Sequence, residues 1–352
     1  MSDGDTGRAR AIAIVPEVSL LVPCRNEAGT INQVLEALYQ QTYPREQIEV
    51  IVADGRSDDG TQDQVERFVR HRSDLQVTLV DNPGRSAPAG LNCALGLARG
   101  KFILRMDGHA LADADYVARC VQTLAETGSD GVGGVWEIHA GGPGAVARGI
   151  AAAGAHPFGA GDARYRIGGS AGWVDTVPFG AYRREVFDRV GLFDERVAVN
   201  EDYDFNYRLR ASGGKLYFNP EIRSHYFARG NLQALSRQYY RYGFQKATML
   251  SYHPGSLRWR QIAAPVLVLS LLVLGLVGLG SHWVAEVFLA EVGLYLVLAV
   301  GSALHQAFRR KDASLILTMP LAFAAMHLSW GTGFWLGQLS SDIRILRRER
   351  KT

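Results

Sequence analysis

The stretch Lys101-Phe-Ile-Leu-Arg-Met-Asp-Gly-His-Ala110 decides how the chain is read. A mostly apolar run ends abruptly at Asp107, Gly108 and His109. A buried strand of an α/β sheet delivers polar groups to its carboxyl end in this way. Asp107 and His109 stand two residues apart, so in extended backbone both side chains fall on one side. A carboxylate and an imidazole so placed can hold a divalent ion against a diphosphate. Taken alone, the stretch is equally a strand end turning through Asp-Gly, with His109 merely exposed. The rest of the chain breaks the tie.

Upstream, Val18 to Pro23, Ile48 to Ala53 and Val77 to Val80 are short apolar runs that read as strands. Between them, Ala28 to Tyr39, Gln62 to Arg72 and Ala87 to Ala98 carry apolar residues at helical spacing. Strand and helix alternate at short intervals, which predicts a largely parallel sheet with right-handed crossovers. Glu27, Asp54 and Asp107 then sit at the carboxyl ends of its strands, where open sheets bind ligands. A dinucleotide-binding enzyme shares the alternation but carries G-x-G-x-x-G after its first strand. Here that place holds Pro23-Cys-Arg-Asn-Glu-Ala-Gly29, with a single glycine.

Composition narrows the classes further. A formal net charge of +3 over 352 residues, with no basic stripe, gives no reason to expect a nucleic-acid partner. Cys24, Cys93 and Cys120 form no metal-like spacing and read as reduced thiols. The averages conceal a split, because residues 262–338 contain only six charged side chains in 77. Apolar segments at about 262–281, 284–308 and 313–339 are each long enough to cross a bilayer. Glu286 and Glu291 near the start of the second are expected at the outer interface. The third is interrupted by Pro320, Gly331, Gly333 and Gly337.

Basic residues orient these segments. Arg258 and Arg260 before the first, and Arg309, Arg310 and Lys311 after the second, place the preceding domain in the cytosol. The tail residues Arg344 to Lys351 ask for the same side, which conflicts with a third crossing. Length favours three spans; a re-entrant or interfacial third segment satisfies the charges. The expected organisation is a flexible tail at 1–16, a cytosolic domain at 17–230, and an amphipathic interfacial region at 231–261. A membrane domain at 262–340 and a basic tail at 341–352 follow.

The motifs together resemble the family-2 inverting glycosyltransferases, nearest to membrane-anchored glucosyltransferases of succinoglycan-type exopolysaccharide assembly. Val22-Pro-Cys-Arg-Asn-Glu27 resembles their opening strand and loop, and Asp54-Gly-Arg-Ser-Asp-Asp-Gly-Thr61 their second acidic loop. Asp107-Gly-His109 stands in the place of the D-x-D metal triplet. Val177 to Glu195 resembles the acceptor segment, Glu201-Asp202 the E-D motif, and Gln238, Arg241 and Tyr242 the Q-x-x-R-W motif.

The resemblance implies a type-A fold, Rossmann-like with a mostly parallel sheet, followed by transmembrane helices. It implies that Pro23, Arg25, Glu27, Asp54 and Asp107 bind a UDP-sugar, with Ala53 in place of a common neighbouring acid. Asp107 and His109 would hold Mn²⁺ or Mg²⁺, and the imidazole favours Mn²⁺. Asp202, beside Glu201 at a helix start, would be the general base. Phe179, Gly180, Gln238, Arg241 and Tyr242 would serve the acceptor and the diphosphate. The implied reaction moves a hexose to a polyprenyl-diphosphate-linked glycan at a bacterial-type inner membrane. A polyprenyl-phosphate sugar synthase and a non-catalytic nucleotide-sugar-binding membrane protein are the alternatives. Oligomeric state is not legible.

Overall fold

Runs of Val, Ile and Leu too short for helices and closed by polar turns are what a doubly covered sheet requires. The computed structural model describes residues 15–349, with side chains described to 340. All but the last two residues of the tail expected at 1–16, and the side chains of the basic tail, lie outside that description. Strand β1 (Val18–Cys24) leads to helix α1 (Ile31–Tyr39), β2 (Ile48–Asp54) to α2 (Thr61–His71), and β3 (Gln76–Asp81) to α3 (Ala87–Leu97). Then come β4 (Phe102–Arg105), β5 (Leu111–Ala112), α4 (Tyr116–Thr127) and β6 (Gly131–His139). Three helices, α5 (Ala145–Gly154), α6 (Pro157–Ala160) and α7 (Arg164–Ile167), precede β7 (Gly172–Val174) and β8 (Ala181–Arg183). Helices α8 (Glu185–Val190) and α9 (Glu201–Ala211), strand β9 (Leu216–Phe227) and α10 (Leu232–Leu250) complete this part.

The sheet runs β3-β2-β1-β4-β8-β6-β9-β5, with β7 also paired to β9. Strands β3, β2, β1 and β4 are parallel, as the sequence predicts. Beyond β4 the sheet is mixed, because β8 is antiparallel to both β4 and β6, and β5 and β7 are antiparallel to β9. Residues 111–112, 172–174 and 181–183 are too short to show periodicity, so this half escapes a sequence reading. Every residue of β1 and β2 is buried, with one core beneath the sheet around Leu20, Val50 and Leu104. A second core lies on the opposite face around Leu21, Ile51 and Phe205.

Three apolar helices follow: α11 (Trp259–Gly278), α12 (His282–Arg310) and α13 (Leu315–Glu349). All three are long and apolar enough to cross a membrane. They differ in company. The apolar windows of α11 and α12 are 6% and 11% buried, whereas 39% of that of α13 is. Helix α13 is continuous through Pro320 and the three glycines, so it makes no re-entrant turn. Small residues let it touch α10 backbone to backbone. A Cβ at Gly243 of α10 would stand 2.1 Å from the Trp330 carbonyl oxygen, and one at Gly333 would stand 2.2 Å from that of Tyr240. Gly243→Val is therefore expected to cost about 2–3 kcal/mol by overpacking, read as a lowered melting temperature of the detergent-solubilised protein. An unchanged melt would mean that the seam yields.

Two sequence expectations change here. Helix α10 does not simply lie on lipid, because its Gly243, Lys246 and Ala247 side is buried. Lys246, on the helix expected at the interface, is 1% exposed; its Nζ donates to the Ser256 carbonyl (2.8 Å) and lies 4.1 Å from the centre of the Tyr203 ring. Burial pulls its ammonium down to about 7. Glu291, expected at the outer interface, is turned towards α11 and accepts a hydrogen bond from Ser270.

Candidate active site

Three loops at the carboxyl ends of β1, β2 and β4 are tied to one another before any ligand is considered. Asn26 takes a left-handed conformation (φ 58°), which Asn tolerates better than most residues. Beyond it, the Glu27 amide donates to Thr61 Oγ1 (2.9 Å) and the Ala28 amide to Asp59 Oδ2 (3.0 Å). Glu27 then accepts from Thr30 Oγ1 (2.9 Å) and from His109 Nδ1 (2.8 Å), linking the first loop to the third. That bond to Glu27 holds the imidazole above its ordinary range.

Asp54 is 1% exposed and turned onto its own loop. It accepts from the Ser57 amide (3.0 Å), the Ser57 hydroxyl (2.5 Å) and Gln62 Nε2 (2.5 Å). As it stands, Asp54 organises this loop rather than presenting a free carboxylate to a base. Pro23 is buried inside β1, and Arg25 is exposed beside Gly55. Neither Pro23 nor Arg25, nor Glu27 nor Asp54, is on the wall of the main cavity.

That cavity, of about 910 Å³, is where the remaining candidates other than Gly180 meet. Asp107, His109, Phe179, Glu201 and Asp202 line it, as do Gln238, Arg241 and Tyr242 from α10. Phe179, at φ 45°, packs its ring on Trp136 (5.2 Å between centres). Gly180 is buried off the cavity, where a Cβ would stand 2.3 Å from the Tyr182 hydroxyl. Gln238 Nε2 donates to the hydroxyls of Tyr226 (3.0 Å) and Tyr242 (2.8 Å), so Tyr242 is held in place by its polar end.

The residue that joins these groups is one the sequence reading passed over. Arg105 is 4% exposed and sends one guanidinium nitrogen to Glu201 (2.8 Å) and another to Asp107 (2.6 Å). An Arg inside an otherwise apolar strand is the signal that marked it. With Asp202 alongside, three carboxylates surround one cation. Burial raises the carboxyls of both Glu201 and Asp202 above their usual range, while Arg105 pulls against that rise. Glu201 is occupied by Arg105. Asp202 uses one oxygen on the Tyr203 amide (2.7 Å) and lies at the cavity wall.

By residue type, though not as a closed cluster of ligand atoms, Asp107, His109 and Asp202 suit a divalent ion; among the described residues the closed trio is Glu137, His139 and His225. The acids outnumber the one guanidinium, and a His109 that donates from Nδ1 to Glu27 keeps Nε2 as its remaining ligand atom. Metal-bound histidines are commonly oriented by such a carboxylate. A second group stands away from the cavity, on the outer side of β6 and β9. There His139 and His225 are 2.9 Å apart, His225 meets Asp113 (2.8 Å), and Glu137 lies 3.5 Å from His225.

Comparison with known proteins defines the class. Residues 19–191 match the family described as glycosyl transferase family 2. The succinoglycan biosynthesis protein ExoA of Rhizobium meliloti (strain 1021) is 30% identical over 332 residues, covering 93% of this chain and 96% of the relative. A Methanococcus voltae dolichyl N-acetyl-alpha-D-glucosaminyl phosphate 3-beta-D-2,3-diacetamido-2,3-dideoxy-beta-D-glucuronosyltransferase is 23% identical over 92% of this chain and 98% of its own length. Among solved structures, the mannosyltransferase PcManGT from Pyrobaculum calidifontis, in complex with GDP-Man and Mn²⁺, superposes with a TM-score of 0.58. That match is 22% identical and covers 92% of this chain and 87% of that one, which shows the shared fold.

The chain belongs to glycosyltransferase family 2 and has its type-A fold. Its relatives take part in exopolysaccharide and lipid-linked glycan synthesis.

Proposed function

We propose that the protein is an inverting, metal-dependent hexosyltransferase. It moves a sugar, with glucose the favoured donor sugar, from a UDP-sugar to a hydroxyl of a polyprenyl-diphosphate-linked glycan at the cytosolic face of a bacterial-type inner membrane. One observation carries the reading. The cavity that holds Asp107, Glu201 and Asp202 is walled on another side by Trp259, Tyr295 and Trp330 of the apolar helices. A site so built serves an acceptor borne on a lipid. The names of the Rhizobium and Methanococcus relatives point the same way.

In this reading Asp202 takes the proton of the acceptor hydroxyl, and the start of α9 holds its charge. Glu201 and Arg105 fix the floor beneath it. The nucleoside lies over the joined loops of Glu27 and Asp54, and Gln238, Arg241 and Tyr242 face the acceptor and the diphosphate. Asp107 and His109 would hold a divalent ion that neutralises the departing diphosphate; the Mn²⁺ in the Pyrobaculum structure supports this. Metal-stripped enzyme is expected to recover more activity with Mn²⁺ than with Mg²⁺, and His109→Asp to narrow the gap. Equal recovery in the wild type would remove the case for an imidazole ligand.

For the membrane part, α11 and α12 cross as a hairpin while α13 lies beneath them at the cytosolic interface. The burial of α13 supports this, and it keeps the basic tail on the side its charges require. A cysteine placed at Ser340 should escape an impermeant thiol reagent in intact cells and react after lysis. Labelling of intact cells would establish a third crossing.

The deciding assay uses purified protein in detergent, a panel of UDP-sugars, and either a polyprenyl-diphosphate-linked glycan or polyprenyl phosphate. Transfer to the glycan is expected. Transfer to bare polyprenyl phosphate would make the protein a lipid-phosphate sugar synthase, and no reaction of any donor would leave it a binding protein.

A further inference from the structure

The cavity wall carries charges of both signs, and the proposed chemistry uses mainly the acids. Around Asp107, Glu201 and Asp202 the only guanidinium in contact among the described residues, Arg105, is matched by carboxylates. Arg260, elsewhere on the wall, is likewise matched by Asp162 (3.0 Å) and Asp175 (2.7 Å). Arg166 has no such partner. It belongs to the short helix α7, which ends at Gly168 in a left-handed conformation (φ 77°). Its guanidinium carbon lies 5.0 Å from the Trp136 ring centre and 5.5 Å from that of Tyr165. Its one side-chain hydrogen bond is a long contact from Nε to the Tyr165 hydroxyl (3.5 Å).

No carboxylate pairs with Arg166 among the described residues. Arg229, Arg237 and Arg241 line the same cavity, and among the described residues none of them pairs with a carboxylate. Aromatic faces offset part of the cost of enclosing a guanidinium, but they leave its N–H groups unused. Arg166 is half-buried, and a partly desolvated cation without a counterion gains from a ligand that supplies the charge. Arg166, held by aromatic rings with no acid beside it, suits a phosphate anion, and the exposed Arg229 and Arg237 add positive charge to the same wall. Nearby walls come from the apolar helices, at Ala264, Leu267, Met326 and Trp330.

We propose that Arg166 anchors the phosphate groups of the lipid-borne acceptor, with Arg229 and Arg237 at the rim of that site. The site binds a mono- or diphosphate attached to a long apolar chain, and so sets how far the reacting hydroxyl lies from Asp202. This rests on the lipid-linked acceptor proposed above, since the donor diphosphate is already provided for at Asp107 and His109.

The test uses the full-length protein in detergent micelles and measures binding of undecaprenyl diphosphate, undecaprenol, inorganic pyrophosphate, and UDP with Mn²⁺. Arg166→Gln is expected to weaken undecaprenyl diphosphate at least tenfold, and Arg166→Lys to weaken it less. Undecaprenol, and UDP with Mn²⁺, should change less than twofold. Arg237→Gln, at the exposed rim, should weaken the lipid diphosphate severalfold and covers the case in which Arg166→Gln does not fold. Unchanged lipid binding in these variants overturns the proposal. An equal loss of UDP binding overturns it too, by assigning the guanidinium to the donor. If pyrophosphate binds as tightly as the lipid and is lost with it, the ligand is a soluble anion. Failure of the transferase reading would show differently, as a wild type that binds these ligands and transfers no sugar.

Discussion

Asp202→Asn is expected to lower kcat for sugar transfer by about 10³-fold, within the range that a general base contributes, while donor binding stays within about twofold. The amide keeps the shape and can still accept from the Tyr203 amide, as Asp202 does now at 2.7 Å. What it loses is the capacity to take a proton from the acceptor. Isothermal titration with UDP and Mn²⁺, beside single-turnover transfer, separates the two effects. Retained turnover would move the base role elsewhere, and Glu201 is poorly placed to assume it because Arg105 already holds it.

The second large effect belongs to Arg105. Arg105→Ala would leave the carboxylates of Asp107 and Glu201 without their shared cation. Removing one member of a buried ion pair costs about 3–5 kcal/mol, so a clear fall in melting temperature is expected, together with near-complete loss of activity. Arg105→Lys should recover much of the stability and less of the activity. One ammonium is a point charge and cannot reproduce two nitrogens that each address a different acid. The pH dependence gives a finer readout. Burial already raises the Asp202 carboxyl, and Arg105 opposes that rise. The base works only when ionised, so activity climbs as pH rises through its titration. Weakening the cation at 105 should move that climb to higher pH, and an unmoved profile would show that Arg105 does not govern the ionisation of Asp202.

The parallel half of the sheet was legible because β1 and β2 are buried on both faces and close on polar turns, a pattern that survives in one dimension. The acids at their ends were legible for the same reason. What those acids touch was not. Asp54 reads as an exposed loop acid but is 1% exposed and spends its oxygens on Ser57 and Gln62, because a tight turn brings those donors back onto it. His109 reads as a partner of Asp107 and instead meets Glu27, 82 positions earlier. Arg105 and Arg166 were missed because each matters through groups distant in sequence, Glu201 for one and the rings of Trp136 and Tyr226 for the other. Lys246 shows the converse, a charge that pattern assigns to a surface and packing encloses.

Because Trp259, Tyr295, Met326 and Trp330 are walls of the same chamber as Asp202, helices apolar enough to cross a bilayer also shape the candidate site. A soluble enzyme cut before residue 259 would keep its sheet and its acids but lose that wall, and water would reach the Asp202 side freely. Such a fragment should leak donor to hydrolysis rather than glycosylate. Evolution of acceptor preference in such an enzyme can therefore proceed through substitutions in helices that look, from their composition, like anchors.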